Sequence, residues 1–265
     1  MLDNLAQLVG TLVDWARHNA FDPAEVEVSF GLPDAKLPAW SIALPDGRTL
    51  KLRGRIDRID MCRLEDGRAL VVICDYKSSA REMDLMKVEA GLELQLLSYL
   101  AALSQMPEAQ TFLGAHKLVP AGVFYIPLRP KLESTATRAE PADSGVAGSG
   151  ASFQHRGRFD AAWLQRFDDR GAPKGEQFRY SLKRDGTLAA RGNDALPAPD
   201  FPELVEAAEA RLRQIGERIY RGEAVVSPYR HKQQTACDLC PYRSGCRFDP
   251  WVTSFRSLKG REAEG

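Results

Sequence analysis

Residues 54–77 read GRIDRIDMCRLEDGRALVVICDYK, and this stretch decides the fold. Apolar and basic side chains alternate where it begins, as expected of a strand with one buried face. The Asp-Gly pair at 66–67 is a strong signal for a hairpin turn, and the continuous apolar run over 70–76 is typical of a buried strand. Because the apolar phase slips between Ile56 and Ile59, we expect a twist or bulge there. The stretch therefore predicts a β-hairpin.

Pairing the strands outward from this turn brings two carboxylates together. Asp57 falls opposite Tyr76, one residue from Asp75, whereas Asp60 falls nearer the turn. Asp75 and Lys77 are two residues apart on one strand, so their side chains share a face of the sheet. We therefore expect Asp57, and not Asp60, to be the partner of Asp75.

Two carboxylates beside a lysine favour a metal site over a solvated ion pair of Asp75 and Lys77. Without a cation, the carboxylates would repel each other and lose hydration at high cost. Mg²⁺ (or Mn²⁺) binds carboxylates, phosphate oxygens and several waters, and it activates a bound water. We expect Asp57, Asp75 and the Tyr76 carbonyl to hold the cation. Lys77 would position the water or offset charge in the transition state.

The rest of the chain alternates between helical and strand-like patterns. Apolar spacing predicts helices over 2–18, 84–104 and 202–222, and a short buried strand over 121–128. A stretch rich in Ser, Ala, Gly, Pro and Thr, residues 130–157, predicts a loop or insertion. Together these elements predict an α/β fold in which helices flank a central mixed sheet.

Charge and hydropathy limit the possible functions. Lysine and arginine number 36, as do aspartate and glutamate, whereas a dedicated duplex-binding protein is usually more basic. Any nucleic-acid contact must therefore use local basic patches. The sequence has two, and we interpret the second as a solvated helix face. The patches are Lys51, Arg53, Arg55, Arg58 and Arg63, and then Arg211, Arg213, Arg218, Arg221, Arg230 and Lys232. No apolar run reaches membrane-spanning length and no secretory signal begins the chain, so we expect a cytoplasmic protein.

The five cysteines form two groups. An odd number in a cytoplasmic chain argues against a disulfide framework. Cys237, Cys240 and Cys246 are clustered, which suggests a metal site. Cys62 and Cys74 lie on the hairpin, where a free cysteine usually behaves as a small buried apolar side chain.

The hairpin ending in Asp-Tyr-Lys, with a helix after it, resembles the PD-(D/E)xK nuclease superfamily in its RecB-like branch. The resemblance implies a restriction-endonuclease-like core. Gln95 and Tyr99 match the Gln-x-x-x-Tyr motif of that branch, four residues apart on one helical face. They would lie beside the active site and help to position DNA; the alternative is a polar pair on a core helix. Glu27 is the best candidate for the first acidic motif, or else an exposed strand glutamate, and His18 is the only nearby histidine.

The segment CDLCPYRSGCRFD, residues 237–249, resembles the iron–sulfur segment of the AddB family, which belongs to the ATP-dependent helicase/deoxyribonucleases. The other matching segments are 52–60, 75–79, 120–125 and 228–230, so the resemblance covers about 27–249. It implies a metal-dependent DNA exonuclease domain of a helicase–nuclease that processes double-strand breaks for homologous recombination. A single strand of DNA would occupy the active site, and an AddA-like protein would be the partner. The alternatives are a non-catalytic scaffold of the same fold and a CRISPR-associated RecB-like nuclease.

The resemblance also implies a cofactor. Cys237, Cys240 and Cys246 look like three ligands of a [4Fe–4S] cluster whose fourth ligand is absent from this chain. Zinc, with His231 as a possible fourth ligand, is the competing interpretation. AddB proteins are far longer, so we expect a C-terminal fragment or a stand-alone relative.

The whole chain, 1–265, is expected to form one nuclease domain. Its core would occupy about 20–130, a loop or insertion about 130–200, and a C-terminal helix and cysteine segment about 200–250.

Overall fold

A six-stranded mixed sheet is the centre of the computed structural model, which describes residues 2–129 and 153–258. In chain order the strands are β1 (Asp22–Phe30), β2 (Trp40–Ala43), β3 (Thr49–Leu52), β4 (Gly54–Arg63), β5 (Arg68–Lys77), β6 (Lys117–Pro127), β7 (Arg156–Asp160), β8 (Ala195–Leu196), β9 (Tyr229–His231), β10 (Gln234–Thr235) and β11 (Arg256–Ser257). The sheet order is β1-β4-β5-β6-β7-β8, with parallel pairs at β5–β6 and β7–β8. The predicted α/β fold with a mixed sheet is confirmed.

Helices flank this sheet. They are α1 (Leu2–Ala16), α2 (Leu85–Glu89), α3 (Gln95–Gln105), α4 (Pro107–Phe112), α5 (Leu164–Phe167), α6 (Asp200–Tyr220) and α7 (Arg243–Cys246). Leu96, Leu97 and Leu100 of α3 are buried at helical spacing against the sheet, and α6 packs on the same core. In the part of the chain that the structure describes, every helix is too short or too polar to cross a lipid bilayer.

The sheet separates two hydrophobic cores, and this separation decides which side chains of β5 can meet. Val71 and Ile73 belong to the first core, beneath α3 and α6, whereas Val72 and Cys74 belong to the second core on the opposite face. Because side chains alternate along a strand, Asp75 continues the first-core face. Both faces of β5 are covered, which explains why its sequence is a continuous apolar run.

The hairpin register differs from the prediction by one residue. The turn closes with Leu64 N–H donating to Arg68 O at 2.9 Å, and Gly67 adopts a left-handed φ of 79°. The loop therefore has three residues rather than two, and Asp60 pairs with Val72. Glycine satisfies the left-handed position at no steric cost, so the longer loop forms readily.

The helix predicted over 84–104 is divided in two. It ends at Glu89 and begins again at Gln95, and Gly91 between them has a φ of 80°. In this break the buried Glu93 folds back, and its carboxylate accepts a hydrogen bond from Asp84 N–H at 3.0 Å. That contact replaces the helical geometry that apolar spacing alone predicted.

The region predicted as an insertion over about 130–200 adds to the sheet instead of lying outside it. Residues 130–152 fall outside the described residues, but 153–200 contribute β7, α5 and β8. Phe159, Phe167 and Phe178 pack closely in the second core, with ring centroids 4.7 to 6.1 Å apart. Burial of these aromatic side chains therefore stabilises an ordered structure in a segment whose polar composition did not predict one.

Candidate active site

Asp57, Asp75 and Lys77 lie where the β4–β5 hairpin ends, away from its turn. Asp75 is buried, and its Oδ2 contacts Lys77 Nζ as an ion pair. Because cations stabilise a buried carboxylate, this position suits a cationic ligand besides the partly exposed Lys77.

Asp57 lies where the two strands stop pairing regularly. The last pair in register is Arg58 with Cys74. Beyond it, Oδ2 of Asp57 accepts a hydrogen bond from the backbone N–H of Tyr76 at 3.0 Å. The Asp57 carboxylate thus takes the place of a backbone hydrogen bond between the two strands. Its hydrogen-bond partner, Tyr76, directly follows Asp75 in the sequence.

A cation held by the residues present would have to keep most of its water. Within residues 2–129 and 153–258, no group of three or more His, Cys, Asp or Glu side chains is arranged to hold a metal ion. Asp57 and Asp75, with the Tyr76 carbonyl, would supply a small ligand set. Mg²⁺ accepts such a set because it readily completes its coordination with water and phosphate oxygens.

Glu27 lies level with Asp57 on β1, between Val26, which pairs with Arg58, and Val28, which pairs with Ile56. Its φ of 52° is unusual for a non-glycine residue in a strand. The side chain is exposed and lies 3.5 Å from Arg55. The structure therefore places Glu27 near the level of the site, but its carboxylate does not join Asp57 and Asp75 in a three-ligand group.

Gln95 and Tyr99 lie at the start of α3, and Gln95 Nε2 donates to the Tyr99 hydroxyl at 3.4 Å. The Tyr99 ring meets Phe30 edge to face, with centroids 5.4 Å apart. A Cβ atom at Gly54 would lie 2.8 Å from the Tyr99 ring, so Gly54 has no room for a side chain. The glycine that begins the Gly-x-Ile-Asp motif is thus explained by the tyrosine that ends the Gln-x-x-x-Tyr motif.

Three side chains beside Lys77 could not be found from the sequence motifs. The Tyr125 ring, on the strand next to Asp75, lies beneath two cations: Lys77 Nζ at 5.8 Å and the Arg81 guanidinium at 4.9 Å from its centroid. Burial raises the pKa of Tyr125. Arg81 also lies 3.2 Å from the buried Glu93. No spacing rule links these three residues. The only indication in the sequence was that Glu93 stands two residues before Gln95 of the Gln-x-x-x-Tyr motif.

The opposite face of the hairpin carries a buried ion pair. Arg58 donates to Asp60 through Nε at 2.6 Å and through a terminal nitrogen at 2.7 Å, and its other terminal nitrogen donates to the Tyr76 hydroxyl at 3.1 Å. Burial alone lowers the pKa of Arg58, but the hydrogen bonds and charge of Asp60 outweigh it and raise that pKa. Asp60 therefore faces away from Asp75, in the second core beside Cys74.

Cys237, Cys240 and Cys246 line one cavity of about 290 Å³ in the C-terminal segment, together with Phe248 and Phe255. His231 is not among the residues that line it. Its Nε2 lies 2.9 Å from Asp84 Oδ2, so the structure does not support His231 as the fourth ligand of a zinc site. No three of these side chains are arranged to hold a metal ion in the described part of the chain.

The other two cysteines lie in the second core, as expected of small apolar side chains. Burial raises the pKa of both thiols, that of Cys74 most strongly. They are too deep in the sheet to complete the cavity of the C-terminal cysteines.

The two basic patches have different fates. In the first, Lys51, Arg53 and Arg55 are exposed, whereas Arg58 is engaged by Asp60 and Arg63 donates to two backbone carbonyls. The second is largely a solvated helix face. Its ion pairs on and after α6 are Arg213–Glu209, Arg218–Glu223 and Arg221–Glu217.

Known proteins resemble this chain over most of its length. Residues 2–247 match the PD-(D/E)XK nuclease superfamily. AddB of Symbiobacterium thermophilum, a component of the ATP-dependent helicase/deoxyribonuclease, is 36% identical over 93% of this chain and 21% of that protein. Proteins of the same name from Moorella thermoacetica and Listeria monocytogenes are 34% and 31% identical, over 94% and 100% of this chain and 21% and 23% of their own lengths. The chain thus spans about one fifth of the length of these relatives.

Proposed function

The chain belongs to the PD-(D/E)XK nuclease superfamily, and within it we propose a metal-dependent deoxyribonuclease that hydrolyses phosphodiester bonds of single-stranded DNA from an end. The observation that carries this proposal is the buried Asp75 carboxylate, which pairs with Lys77 at the strand end that also carries Asp57.

The chemistry divides among these residues according to their contacts. The Tyr76 N–H fixes one oxygen of Asp57, which leaves the other oxygen for a ligand. Bound Mg²⁺ or Mn²⁺ would polarise the scissile phosphate and lower the pKa of a coordinated water. Lys77, partly exposed beside Asp75, would orient the attacking water or offset the charge that develops on the phosphate. Gln95 and Tyr99 would position the DNA strand from α3.

The relatives are named as components of ATP-dependent helicase/deoxyribonucleases. On that basis we propose that this domain works with an AddA-like helicase–nuclease partner in double-strand break repair by homologous recombination. The exposed Lys51, Arg53 and Arg55 would contact the phosphate backbone near the site. A fold that binds DNA without cutting it is the alternative outcome.

Metal removal tests the proposal. We expect the protein to degrade a linear end-labelled single strand in Mg²⁺ or Mn²⁺, to stop in excess chelator, and to recover when the metal is restored. A circular single strand of the same sequence is the matched control, because an exonuclease needs an end. Binding of the strand without any metal-dependent cleavage would support the scaffold instead.

We also propose that Cys237, Cys240 and Cys246 hold three corners of a [4Fe–4S] cluster, with zinc as the alternative metal. Their shared cavity in the C-terminal segment supports this assignment. The fourth ligand would come from outside the residues that the structure describes, because Cys62 and Cys74 are buried in the sheet.

Anaerobic purification followed by iron and zinc analysis and a visible absorption spectrum tests the cluster. We expect Cys240→Ser to lose metal and to lower the Tm, because a bound metal cross-links the segment. Cys62→Ala is the control, and its metal content should equal that of the wild type. An unchanged Tm for Cys240→Ser in a metal-loaded sample would contradict a stabilising role.

A further inference from the structure

The Arg58–Asp60 pair on the rear face of β4 needs an explanation beyond stability. Asp60 is almost fully buried, and both nitrogens that face it are within 2.7 Å of its oxygens. Burying two charges costs hydration that their attraction only partly offsets, so an apolar pair of similar size would often be as stable. The fork geometry does, however, hold the guanidinium in one orientation.

That orientation directs the remaining terminal nitrogen of Arg58 at Tyr76, whose hydroxyl accepts its hydrogen bond at 3.1 Å. Tyr76 connects the two groups. Its ring packs against the second core, and its backbone N–H donates to Asp57 Oδ2 at 3.0 Å. The buried pair and the Asp57 carboxylate are therefore the two ends of one chain of contacts.

We propose that Arg58 and Asp60 are positioning residues, which act through Tyr76 to hold the Asp57 carboxylate for a divalent cation. This inference rests on the proposed function of the site. It assigns a role to the second acid of the Arg-Ile-Asp-Arg-Ile-Asp repeat, which faces away from the metal residues.

The need for such a support follows from where the strands stop pairing. The register of β4 with β5 ends at Arg58 and Cys74, so on this side of β4 the hydrogen bond from the Tyr76 N–H to the Asp57 carboxylate continues the contact, while β1 still pairs with β4 on the other side. The Tyr76 hydroxyl and N–H belong to one residue, so a shift of Tyr76 as a whole would move the N–H that orients Asp57. Outer contacts of this kind, which orient a metal ligand, commonly change metal affinity by about 10- to 100-fold when they are removed.

The decisive variant is Tyr76→Phe, which removes only the hydroxyl that Arg58 holds. Its matched control is Tyr180→Phe, because the Tyr180 hydroxyl donates to Asp168 Oδ2 at 2.9 Å, where Arg170 binds the same carboxylate. Both variants lose one tyrosine hydroxyl from an arginine–aspartate cluster, but only Tyr76 contacts Asp57.

We would titrate Mn²⁺ into each protein without DNA by calorimetry, and measure the Tm and the Mn²⁺ concentration for half-maximal cleavage. Tyr76→Phe should weaken Mn²⁺ binding about 10-fold and raise the half-maximal concentration by a similar factor. Tyr180→Phe should lower the Tm and leave the Mn²⁺ affinity unchanged.

Two results would overturn the inference alone: wild-type Mn²⁺ affinity in Tyr76→Phe, or an equal loss of affinity in Tyr180→Phe, while the wild type still cleaves DNA. Failure of the wild type itself to bind Mn²⁺ or to cleave would remove the proposed function, and the inference with it. Arg58→Lys, which keeps the charge but not the fork, should reproduce the effect of Tyr76→Phe.

Discussion

Replacing Asp75 with alanine should lower metal-dependent cleavage of single-stranded DNA about 1,000-fold or more. A metal-bound phosphate gains several kcal/mol of transition-state stabilisation, and each 1.4 kcal/mol or so is a factor of ten in rate. The fold should tolerate the change, because Lys77, which would lose its ion-pair partner, is partly exposed and lies over the Tyr125 ring. Cleavage rates and the Tm of the purified variant check both parts.

Asp66→Ala is the matched control for this change, since Asp66 lies on the same hairpin and interacts with Arg68 at the turn. It should leave the cleavage rate at the wild-type value. Equal activity in the wild type and in Asp75→Ala would rule out the proposed metal site, because the proposed mechanism needs that carboxylate to hold the cation.

The second large effect concerns His155, which is expected to weaken the protein in acid. The side chain is buried among Trp15, Phe124 and Phe178, and neither ring nitrogen has a hydrogen-bond partner in the described residues. Burial lowers the pKa of His155 to about 3, and the nearby charge of Arg58 acts in the same direction. In the unfolded chain the imidazole has its ordinary pKa of about 6.5.

Between those two pKa values the unfolded state binds more protons than the folded state, so stability falls as the pH falls. His155→Phe should remove this slope. From about pH 7.5 to pH 4.5 the wild type should lose about 2 to 3 kcal/mol of unfolding free energy more than the variant. Urea titrations at several pH values would measure the difference.

His116→Phe is the control, because the His116 side chain is exposed in the folded protein as well as in the unfolded chain. Its acid slope should match that of the wild type. Parallel slopes for the wild type and His155→Phe would show that the imidazole is protonated inside the fold, against the environment described above. At neutral pH the variant should be at least as stable as the wild type, since it removes two unpaired buried polar atoms.

The hairpin and the long helices could be predicted because their signals are local. The continuous apolar run of β5 indicates a strand that is buried on both faces. The spacing of Leu96, Leu97 and Leu100 indicates a helix with one buried face. The register could not be predicted to the residue. An Asp-Gly pair serves a two-residue and a three-residue loop equally well, and the left-handed conformation of Gly67 decides between them only in the folded chain.

At the site, too, contacts within one strand could be predicted, whereas contacts between distant segments could not. Asp75 and Lys77 share a strand, so their common face follows from alternation alone. Tyr125 reaches Lys77 from the neighbouring parallel strand, and Arg81 and Glu93 meet across the break between α2 and α3. Such contacts join residues far apart in sequence, and no pattern within one segment encodes them. His231 is similar: its buried contact with Asp84 depends on how the C-terminal segment docks.

Because the Tyr99 ring packs directly against Gly54, the Gly-x-Ile-Asp motif and the Gln-x-x-x-Tyr motif depend on each other structurally. An engineer who grafts the hairpin into another scaffold must bring α3 with it, because a different helix would leave the glycine uncovered. Conversely, any side chain added at position 54 would push the ring off the strand, three residues from Asp57. Exchange of segments between related nucleases should therefore succeed when the crossover point lies outside both motifs and fail when it falls between them.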